Sequence, residues 1–347
     1  MWPDTRICDL LEIEHPIIQA PMAGSSTPEL VAAVSNAGGL GSHGCAALAP
    51  GKLAEDIRAI AGRTNRSFNL NFFCHAPPAI DDAHHAALLD ALAPHYEAAG
   101  VAPPTGKPAA PFDPFGEAAL EILLAHPPKV VSFHFGLPAA GAVAALKSAG
   151  SVILSSATTC AEARWLAARG ADAIIAQGWE AGGHRGVFLD VAHDAQIGLF
   201  ALLPQIVDAV DLPVIAAGGI ADGRGIAAAL TLGAAGVQIG TGFIATEEAA
   251  GNRLHIAATR AGADSSTRIS AAVSGRPARA HRTGWLDAMA EVPPAPFPLM
   301  YHYVNPLRAA DAEVHQFSLY GQAAALAPEG GAAERLNALV ADTKARL

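Results

Sequence analysis

Short apolar runs alternate along the first 245 residues with segments in which apolar residues recur at helical spacing. There are eight such runs, and seven of them are almost continuously apolar, with little alternation between apolar and polar residues. That pattern is typical of parallel strands that are buried on both faces. The predicted strands are Pro16–Met22, Gly39–Ser42, Ser67–Phe73, Lys129–Phe135, Ser151–Ser156, Ala171–Ala176, Pro213–Ala217 and Gly236–Gly240.

Amphipathic segments between these strands predict the connecting helices. Several of them end at a glycine, such as Gly38 or Gly150, and glycine commonly terminates a helix. The predicted helices are Pro28–Ala37, Gly51–Gly62, Gly141–Ala149, Cys160–Arg169, Leu199–Val210 and Gly223–Leu232. Eight strands joined by helical crossovers favour an α/β fold, a closed (β/α)8 TIM barrel, over an open doubly wound sheet.

Two stretches interrupt the alternation, residues 75–116 and residues 246–304. The first is longer than one crossover requires, and the second contains segments rich in Arg, Ser, Gly and Pro. Loops of this length in a compact domain are usually functional or belong to a second domain. We therefore expect a barrel built from residues 1–74, 117–245 and 305–347, and a smaller cap or substrate-binding domain built from the two stretches. Two independent surface excursions are the alternative.

Composition narrows the class of protein. The 347 residues are 51% hydrophobic, which allows one large core and a smaller appendage. No apolar run reaches the ~20 residues of a membrane span, and no signal peptide is recognisable. The net charge of −10 disfavours nucleic acid and anionic membranes as partners. The four cysteines are widely spaced and predict neither a metal site nor a disulfide framework. We expect a cytoplasmic protein.

Glycines follow the last three predicted strands, in Gln177–Gly186 (QGWEAGGHRG), in Gly218–Gly219 and in Gly240–Gly242. In such a barrel the loops after the strands form the active face, and those after the seventh and eighth strands often hold a phosphate. Glycine lets backbone N–H groups approach phosphate oxygens closely, and the start of the following helix favours an anion. The loops therefore predict a phosphate-bearing cofactor with a histidine at the reaction centre.

His184 is the predicted catalytic residue. It follows two glycines directly, so its imidazole can project into the barrel mouth, where it would accept a proton from carbon or stabilise a developing anion. Hydrogen bonding to a loop is the alternative. His134, at the end of the fourth strand, is expected to line the same pocket, whereas by itself it would as readily be a buried core histidine. His43 also lies at the predicted mouth without an identifiable partner, and most other histidines are expected to be solvated.

Amides stand at the ends of several apolar strands, at Asn71, Gln177 and Gln238. A buried amide requires hydrogen bonds, and it can donate to or accept from a cofactor ring equally well. Gln238 is alternatively a satisfied residue of the barrel core. Glu180 either orients His184 or faces solvent, and the sequence does not decide between these roles.

Seven motifs, taken in order, resemble those of the nitronate monooxygenase family, formerly called 2-nitropropane dioxygenases, which are FMN-dependent barrels. Together they span most of the chain, and their order makes the resemblance specific where each motif alone is weak. The motifs are PIIQAPMAG (Pro16–Gly24), NAGGLGSHG (Asn36–Gly44), NLNFF (Asn69–Phe73), SFHFG (Ser132–Gly136), QGWEAGGHRG (Gln177–Gly186), PVIAAGGI (Pro213–Ile220) and VQIGTGF (Val237–Phe243).

The resemblance implies roles for individual residues. The residues expected to bind FMN are Ala20, Pro21, Met22, Asn71, Gln177, Gly182, Gly183, Gly218, Gly219, Gln238, Gly240 and Thr241. The first three would lie along the isoalloxazine ring, the next two would contact it, and glycines with Thr241 would bind the ribityl phosphate. The resemblance also makes His184 the catalytic histidine and places His134 at the substrate. The tail Leu319–Ala324 (LYGQAA) resembles a signature whose turn lies near the flavin.

The family also places tyrosines and a lysine of the cap near the substrate. Tyr301 and Tyr303 are therefore the predicted substrate-binding residues, but the neighbouring basic residue is Arg308, and no lysine lies between Lys147 and Lys344. This departure concerns substrate choice and leaves the flavin site intact.

The resemblance implies oxidation of a small alkyl nitronate, or of its nitroalkane, by FMN and O₂ to a carbonyl compound and nitrite. These small molecules are the expected partners, without nucleic acid or membrane, and the sequence leaves open whether the chain forms a homodimer. Alternatives on the same scaffold are an NAD(P)H-dependent quinone reductase and a flavin-dependent enoyl-thioester reductase. A non-catalytic flavin-binding protein would not need two histidines at the mouth. An IMP-dehydrogenase-like barrel is disfavoured because no cysteine follows the sixth strand.

Overall fold

The computed structural model describes residues 2–327 and 329–347. The strands in this part of the chain are β1 Ile17–Gln19, β2 Gly41–Gly44, β3 Phe68–Phe73, β4 Val130–His134, β5 Val152–Ala157, β6 Ala173–Gln177, β7 Gly183–His184, β8 Val214–Ala217, β9 Gly236–Ile239, β10 Thr267–Ser270 and β11 Ala278–His281. The α-helices are α1 Arg6–Leu11, α2 Pro28–Asn36, α3 Pro50–Ala61, α4 Asp82–Ala99, α5 Glu117–Ala125, α6 Ala140–Ser148, α7 Cys160–Ala167, α8 Leu199–Ala209, α9 Gly223–Thr231, α10 Thr241–Ile244, α11 Arg253–Arg260, α12 Gly284–Ala288, α13 Met300–Ala310 and α14 Ala332–Lys344.

Eight of the described strands form one parallel sheet in the order β1-β9-β8-β6-β5-β4-β3-β2. Ile18 of β1 pairs with Gln238 of β9, and a parallel bridge joins Ile18 to Leu40, directly before β2. The first strand therefore closes the sheet into a barrel. All eight predicted strands are present, and no boundary moves by more than three residues. The predicted (β/α)8 barrel is confirmed.

Alternate residues of each barrel strand face different cores, as the period of two along a strand requires. Outward residues such as Ile174 of β6 pack with the surrounding helices, for example with Leu202 of α8. Inward residues such as Ile175 belong to an apolar cluster inside the barrel, to which α1 contributes Ile7. Because apolar side chains fill this end, polar chemistry is left to the carboxyl ends of the strands.

The six predicted helices are also confirmed, as α2, α3, α6, α7, α8 and α9. Local signals explain their starts: α2 begins at Pro28, and the hydroxyl of Thr27 accepts the N–H of Leu30 at 2.9 Å. The other eight described helices, α1, α4, α5 and α10 to α14, were not among the predicted helices. None of the helices in the described part of the chain combines the length and the apolar character that crossing a bilayer requires.

A second cluster of buried residues lies apart from the barrel clusters, and we call it the second core. β11 pairs with both β10 and β7, so a small antiparallel sheet connects the loop after β6 to this core. The two predicted cap stretches contact each other here, and their assignment to a separate domain stays a prediction. The members of the second core are Leu88, Leu92, Tyr96, Ala272, Val273, Ala280, Trp285, Leu286, Met289, Ala295, Leu299, Met300, Tyr303, Val304 and Leu307.

The carboxyl-terminal helix α14 packs on the outer layer of the barrel. Leu336 lies in the same buried cluster as Leu30 of α2 and Ile226 of α9. Arg335 of this helix donates from Nη1 to the carbonyl of Gly242, in the short helix α10 directly after the loop that follows β9. The last helix therefore supports one of the glycine loops from outside.

Candidate active site

The inner face of the barrel becomes polar towards the carboxyl ends of its strands. Leu70 and Phe72 of β3 pack outward with the helices, so Asn71 between them points inward. Its Nδ2 donates to Oγ of Ser132 on β4 at 2.8 Å. On β9, Oε1 of Gln238 is buried and receives no hydrogen bond from the described residues. Gln238 is therefore not the satisfied core amide that the sequence allowed.

The loops after β1, β8 and β9 meet at one side of this edge. The N–H of Ala20 donates to the carbonyl of Ile239 at 2.8 Å, and Pro21 and Met22 continue that loop. A Cβ added to Gly240 would contact only the side chain of Ala20, at 3.5 Å. Gly218 and Gly219 have φ values of 113° and 69°, which favour glycine. The predicted cofactor residues of these loops are thus neighbours in space.

The tail motif LYGQ packs against the same loops. A Cβ on Gly182 would lie 2.4 Å from the carbonyl carbon of Tyr320, so only glycine permits this contact. The N–H of Gly321 donates to Oγ1 of Thr241 at 2.8 Å. Residues that are more than 130 positions apart in the chain therefore build one backbone-lined surface.

His184 belongs to the small antiparallel sheet, where it lies opposite Ala278 of β11. Gly183 beside it has a φ of 79°. The carbonyl of His184 accepts hydrogen bonds from Nε2 of Gln177 at 2.9 Å and from Nε2 of His134 at 3.1 Å. Its own Nε2 lies 3.0 Å from Oγ of Ser274. Contacts from the barrel and from the β10–β11 hairpin therefore fix both the backbone and the ring of His184.

His134 and Gln177 brace this loop with their side chains. Nδ1 of His134 lies 3.1 Å from Oγ of Ser156, so both of its ring nitrogens have partners in the protein. Oε1 of Gln177 accepts the N–H of Gly186 at 2.7 Å, while its Nε2 holds the carbonyl of His184. The structure brings the two predicted histidines together. Gln177 additionally supports the loop that carries His184.

Aromatic side chains surround the ring of His184. The ring centroids of Phe73, Phe135, Phe297 and Phe317 lie 5.3–6.1 Å from that of His184, each edge to face. We call these four residues, together with Phe112, the aromatic cluster. Phe135 has a φ of 69°, a strained conformation for a bulky residue. The surroundings of His184 are therefore mainly apolar.

His75 lies in the same place and was missed by the sequence analysis. Its ring centroid is 4.9 Å from that of Phe297 and 5.9 Å from that of Phe112. It is buried, and neither ring nitrogen has a partner among residues 2–327 and 329–347. Most other histidines are expected to be solvated, and His75 is an exception to that prediction.

Arg276 places a positive charge next to this cluster. Only 9% of it is exposed, and its Cζ lies 3.9 Å from the ring centroid of Phe135. Nη2 donates to the carbonyl of Val187, whereas Nε is buried without a partner in the described part of the chain. No carboxylate among the described residues lies within 4.0 Å of its guanidinium. Burial lowers its pKa to about 10, so it keeps its charge at neutral pH.

The three neighbouring histidines are uncharged at neutral pH. Burial is the largest cause of the lowered pKa of His184, and with the positive charge of Arg276 nearby the pKa falls to about 3. Burial is also the largest cause for His134 and His75, each of which has its pKa lowered to about 4. The site thus combines neutral imidazoles with a buried cation that pairs with no described carboxylate, an arrangement suited to a small anionic ligand.

Comparison with known proteins identifies the family of this chain. The profile of the nitronate monooxygenase family matches residues 4–342. A nitronate monooxygenase from Paraburkholderia phytofirmans is 46% identical over 344 residues, which are 96% of this chain and 94% of that protein. The chain belongs to the nitronate monooxygenase family. It is therefore an oxidoreductase.

Solved structures show the same barrel. Nitroalkane oxidase from Streptomyces ansochromogenes has a TM-score of 0.89 and 38% identity, and the match covers 98% of both chains. FabK from Thermotoga maritima has a TM-score of 0.73 and 29% identity, over 98% of this chain and 96% of that one. FabK thus shares the barrel at a lower sequence identity.

The glycine loops of this family member suit a phosphate. The backbone N–H groups of Gly218, Gly219, Gly240 and Thr241 have no acceptor among the described residues. All four lie at the edge where the loops after β8 and β9 meet the loop after β1. Such free N–H groups beside glycine are the donor set that phosphate oxygens require.

The two predicted substrate tyrosines lie in different surroundings. The ring centroid of Tyr301 is 6.3 Å from that of Phe112, so Tyr301 borders the aromatic cluster. Burial raises its pKa to about 12. Tyr303 is fully buried in the second core, where its hydroxyl lies 2.6 Å from Nδ1 of His85. The structure therefore brings Tyr301 but not Tyr303 to the surroundings of His184.

Glu180 has a role other than the two expected ones. Its carboxylate accepts the N–H of Leu199, at 2.9 and 3.0 Å, where α8 begins. It therefore satisfies a free donor at a helix start, and it neither orients His184 nor simply faces solvent.

His43 does not lie at the mouth as predicted. Its Nε2 is 3.0 Å from Oδ2 of Asp56 on α3, and both residues are buried. Position 43 is an outward one on β2, because the neighbouring Ser42 points inward and accepts from Asn69. The partner that the sequence could not name is thus a carboxylate of the outer layer.

Proposed function

We propose that this protein binds FMN and oxidises small alkyl nitronates with O₂ to a carbonyl compound and nitrite. One observation carries this proposal. A neutral His184, held by hydrogen bonds, lies near the buried charge of Arg276, which has no described carboxylate partner, and aromatic side chains surround the histidine. When bound, the flavin supplies the electron-transfer chemistry between the substrate and O₂, and the protein supplies binding, orientation and electrostatics.

The free N–H groups of the glycine loops would hold the phosphate of FMN. Ala20, Pro21 and Met22 would lie along the ring, with Asn71 and the free Oε1 of Gln238 facing its polar edge. One terminal phosphate fits the single backbone-lined surface that these loops form. Release of FMN, and not FAD, from the acid-denatured protein is the expected result of chromatography.

The charge at the site favours an anionic substrate. A nitronate carries its negative charge on the nitro oxygens, and Arg276 is a buried cation whose Nε has no partner in the described residues. Burying a charge without a partner costs several kcal/mol, which pairing with a substrate anion would offset. We therefore expect the nitronate to bind better than the neutral nitroalkane of the same carbon chain.

His184 would act as the proton acceptor when the substrate is a neutral nitroalkane. Its pKa is lowered to about 3 when no ligand is present, mainly because burial disfavours the imidazolium. Removal of the α-proton would create an imidazolium beside the new nitronate anion, and this opposite charge raises the pKa again. His134 would hold the His184 loop, and Tyr301 would bound the substrate space from the predicted cap of residues 75–116 and 246–304.

Anaerobic stopped-flow mixing tests the proposal. The flavin band of the oxidised protein should bleach with ethyl nitronate, and admission of O₂ should restore the band and release nitrite. NADH and NADPH are mixed separately. Bleaching by NAD(P)H but not by the nitronate would contradict the proposal and favour the quinone or enoyl-thioester reductases. A protein that binds no flavin on reconstitution would exclude all of these flavin-dependent reactions.

A further inference from the structure

Ser274 is a fully buried hydroxyl in the β10–β11 hairpin, and its contact with His184 has no assigned purpose. Its Oγ lies 3.0 Å from Nε2 of His184. The same Oγ lies 3.1 Å from the carbonyl oxygen of Arg276 and accepts the N–H of Arg276 at 3.3 Å. The hydroxyl of Ser274, which carries one proton, therefore contacts three polar groups.

Only one placement of the protons makes all three contacts hydrogen bonds. A carbonyl oxygen only accepts, so the contact with the carbonyl of Arg276 is a hydrogen bond only if Ser274 donates its proton there. Ser274 then has only acceptor capacity left for His184. The contact at 3.0 Å is consequently a hydrogen bond only if Nε2 of His184 carries a proton.

The other ring nitrogen of His184 is left free by this arrangement. Nδ1 has no hydrogen-bond partner in the described part of the chain, and it is not among the buried polar atoms. In a neutral imidazole one nitrogen carries the proton and the other accepts. A proton on Nε2 therefore makes Nδ1 the acceptor, on the side of the ring that the protein does not occupy.

We infer that Ser274 is a positioning residue that holds His184 in the tautomer protonated on Nε2 and thereby leaves Nδ1 as the proton acceptor for substrate. The consequence for catalysis rests on the proposed function, whereas the tautomer itself does not. The pairing of β7 with β11 supports this role, because it fixes the backbone of His184 to the same hairpin that carries Ser274. The hairpin thus determines both the place of the ring and the location of its proton.

Ser274→Ala removes the acceptor of the Nε2 proton, and Ser270→Ala is the matched control. Ser270 lies on the same hairpin and is also buried, but its Oγ accepts the N–H of Ala272 and does not contact His184. With nitroethane, kcat of the Ser274→Ala holoenzyme should fall about 10- to 100-fold, because part of the general-base contribution is lost. KM should stay within about twofold, and turnover of ethyl nitronate should fall less than about threefold, since its α-proton is already gone.

The tautomer is measured directly by long-range ¹H–¹⁵N correlation on protein labelled at histidine, with His184→Asn assigning the signal. The flavin-loaded wild type and Ser270→Ala should show Nε2 protonated and Nδ1 unprotonated, and Ser274→Ala should lose this preference. A proton on Nδ1 in the wild type, or an unchanged tautomer in Ser274→Ala, would overturn the inference. Equal losses with both substrates would overturn its catalytic part. If the wild type oxidises neither substrate, the proposed function fails, and the tautomer result alone decides the role of Ser274.

Discussion

The barrel and the second-core side of the molecule supply different kinds of groups to the same site. From the barrel come mainly backbone N–H groups and short amides at strand ends, such as Gly240 and Asn71. From the β10–β11 hairpin and the segment after it come side chains, among them Ser274, Arg276 and Phe297. Every loop after a strand of a parallel barrel offers backbone N–H groups, whatever its sequence. A hydroxyl or a guanidinium is present only where the sequence has a particular residue. We therefore expect cofactor binding and substrate chemistry to be separable in this protein.

His184 lies where the two regions join. Its carbonyl is held by barrel residues, Gln177 and His134, while its ring contacts Ser274 of the hairpin. A change on one side should therefore impair one function and spare the other. The predictions that follow test this separation, from the largest expected effect to the smallest.

His184→Asn should produce the largest loss, because it removes the group shared by both regions. With nitroethane, kcat/KM should fall about 10²- to 10⁴-fold, the usual contribution of a general base. With ethyl nitronate the loss should be smaller, and flavin content should be unchanged. The exposed His193→Asn is the control. Equal losses with the two substrates would make His184 a binding or electrostatic residue and not a base.

Gly240→Val tests the barrel side. The φ of Gly240 is −99°, and a Cβ there meets only Ala20, so the fold should tolerate the side chain. The valine would occupy space beside the free N–H groups, and we expect about 100-fold weaker flavin binding by fluorescence titration. Melting temperature without flavin should match the wild type. If the flavin-free protein is destabilised as strongly as the flavin complex, the glycine is structural. Gly141→Val, on the exposed face of α6, is the control for the effect of a glycine-to-valine change on stability.

Arg276→Met tests the second-core side. KM for ethyl nitronate should rise about tenfold or more, since a hydrogen bond to a charged partner contributes about 1.5–3 kcal/mol. KM for nitroethane should change less, and flavin affinity should not change. Arg279→Met is the control, because it removes another buried arginine, on β11, which donates to the carbonyl of Trp179. A loss of flavin with Arg276→Met would contradict the separation of the two regions.

The pH dependence of stability should show the smallest effect. The pKa values of His75, His134 and His184 lie below the ordinary 6.5, at about 4, 4 and 3. Between these values and pH 6.5 the unfolded chain binds more protons, so the free energy of unfolding is greatest above pH 6.5 and falls as the pH is lowered. Between pH 7 and about pH 5.7 we expect a decrease of about 1 kcal/mol for each histidine, measured by urea denaturation. His75→Leu should reduce the slope; an identical slope would mean that His75 is not buried as described.

The barrel could be predicted from the sequence because its signals are local. A parallel strand buried on both faces needs an uninterrupted apolar run, and a helix start needs a residue such as Thr27 before Pro28. Both requirements are met by adjacent residues, so all eight strands and the six predicted helices were found. The glycine loops were found for the same reason, since close backbone approach requires glycine at the point of contact.

The second core gave no comparable signal. The pairing of β7 with β11 joins residues about 95 positions apart, and a two-residue strand such as Gly183–His184 has no detectable periodicity. His75 lies two residues after the end of the strand that carries Asn71 and Phe73, so its position offered a hint. Phe297, Phe317 and Arg276 offered none, because nothing in their neighbouring residues requires burial beside a histidine.

The sequence by itself therefore determined the barrel, the edge that carries the loops and the identity of His184 as the candidate centre. Only the tertiary structure decided what surrounds that residue, namely the hydroxyl of Ser274 at its ring and the charge of Arg276 nearby. It also decided that Tyr303 and His43 lie in other environments. The physical reason is the range of the interactions. Backbone hydrogen bonding and hydrophobic periodicity act between near neighbours in the chain, whereas packing around a side chain depends on which distant segments fold against it.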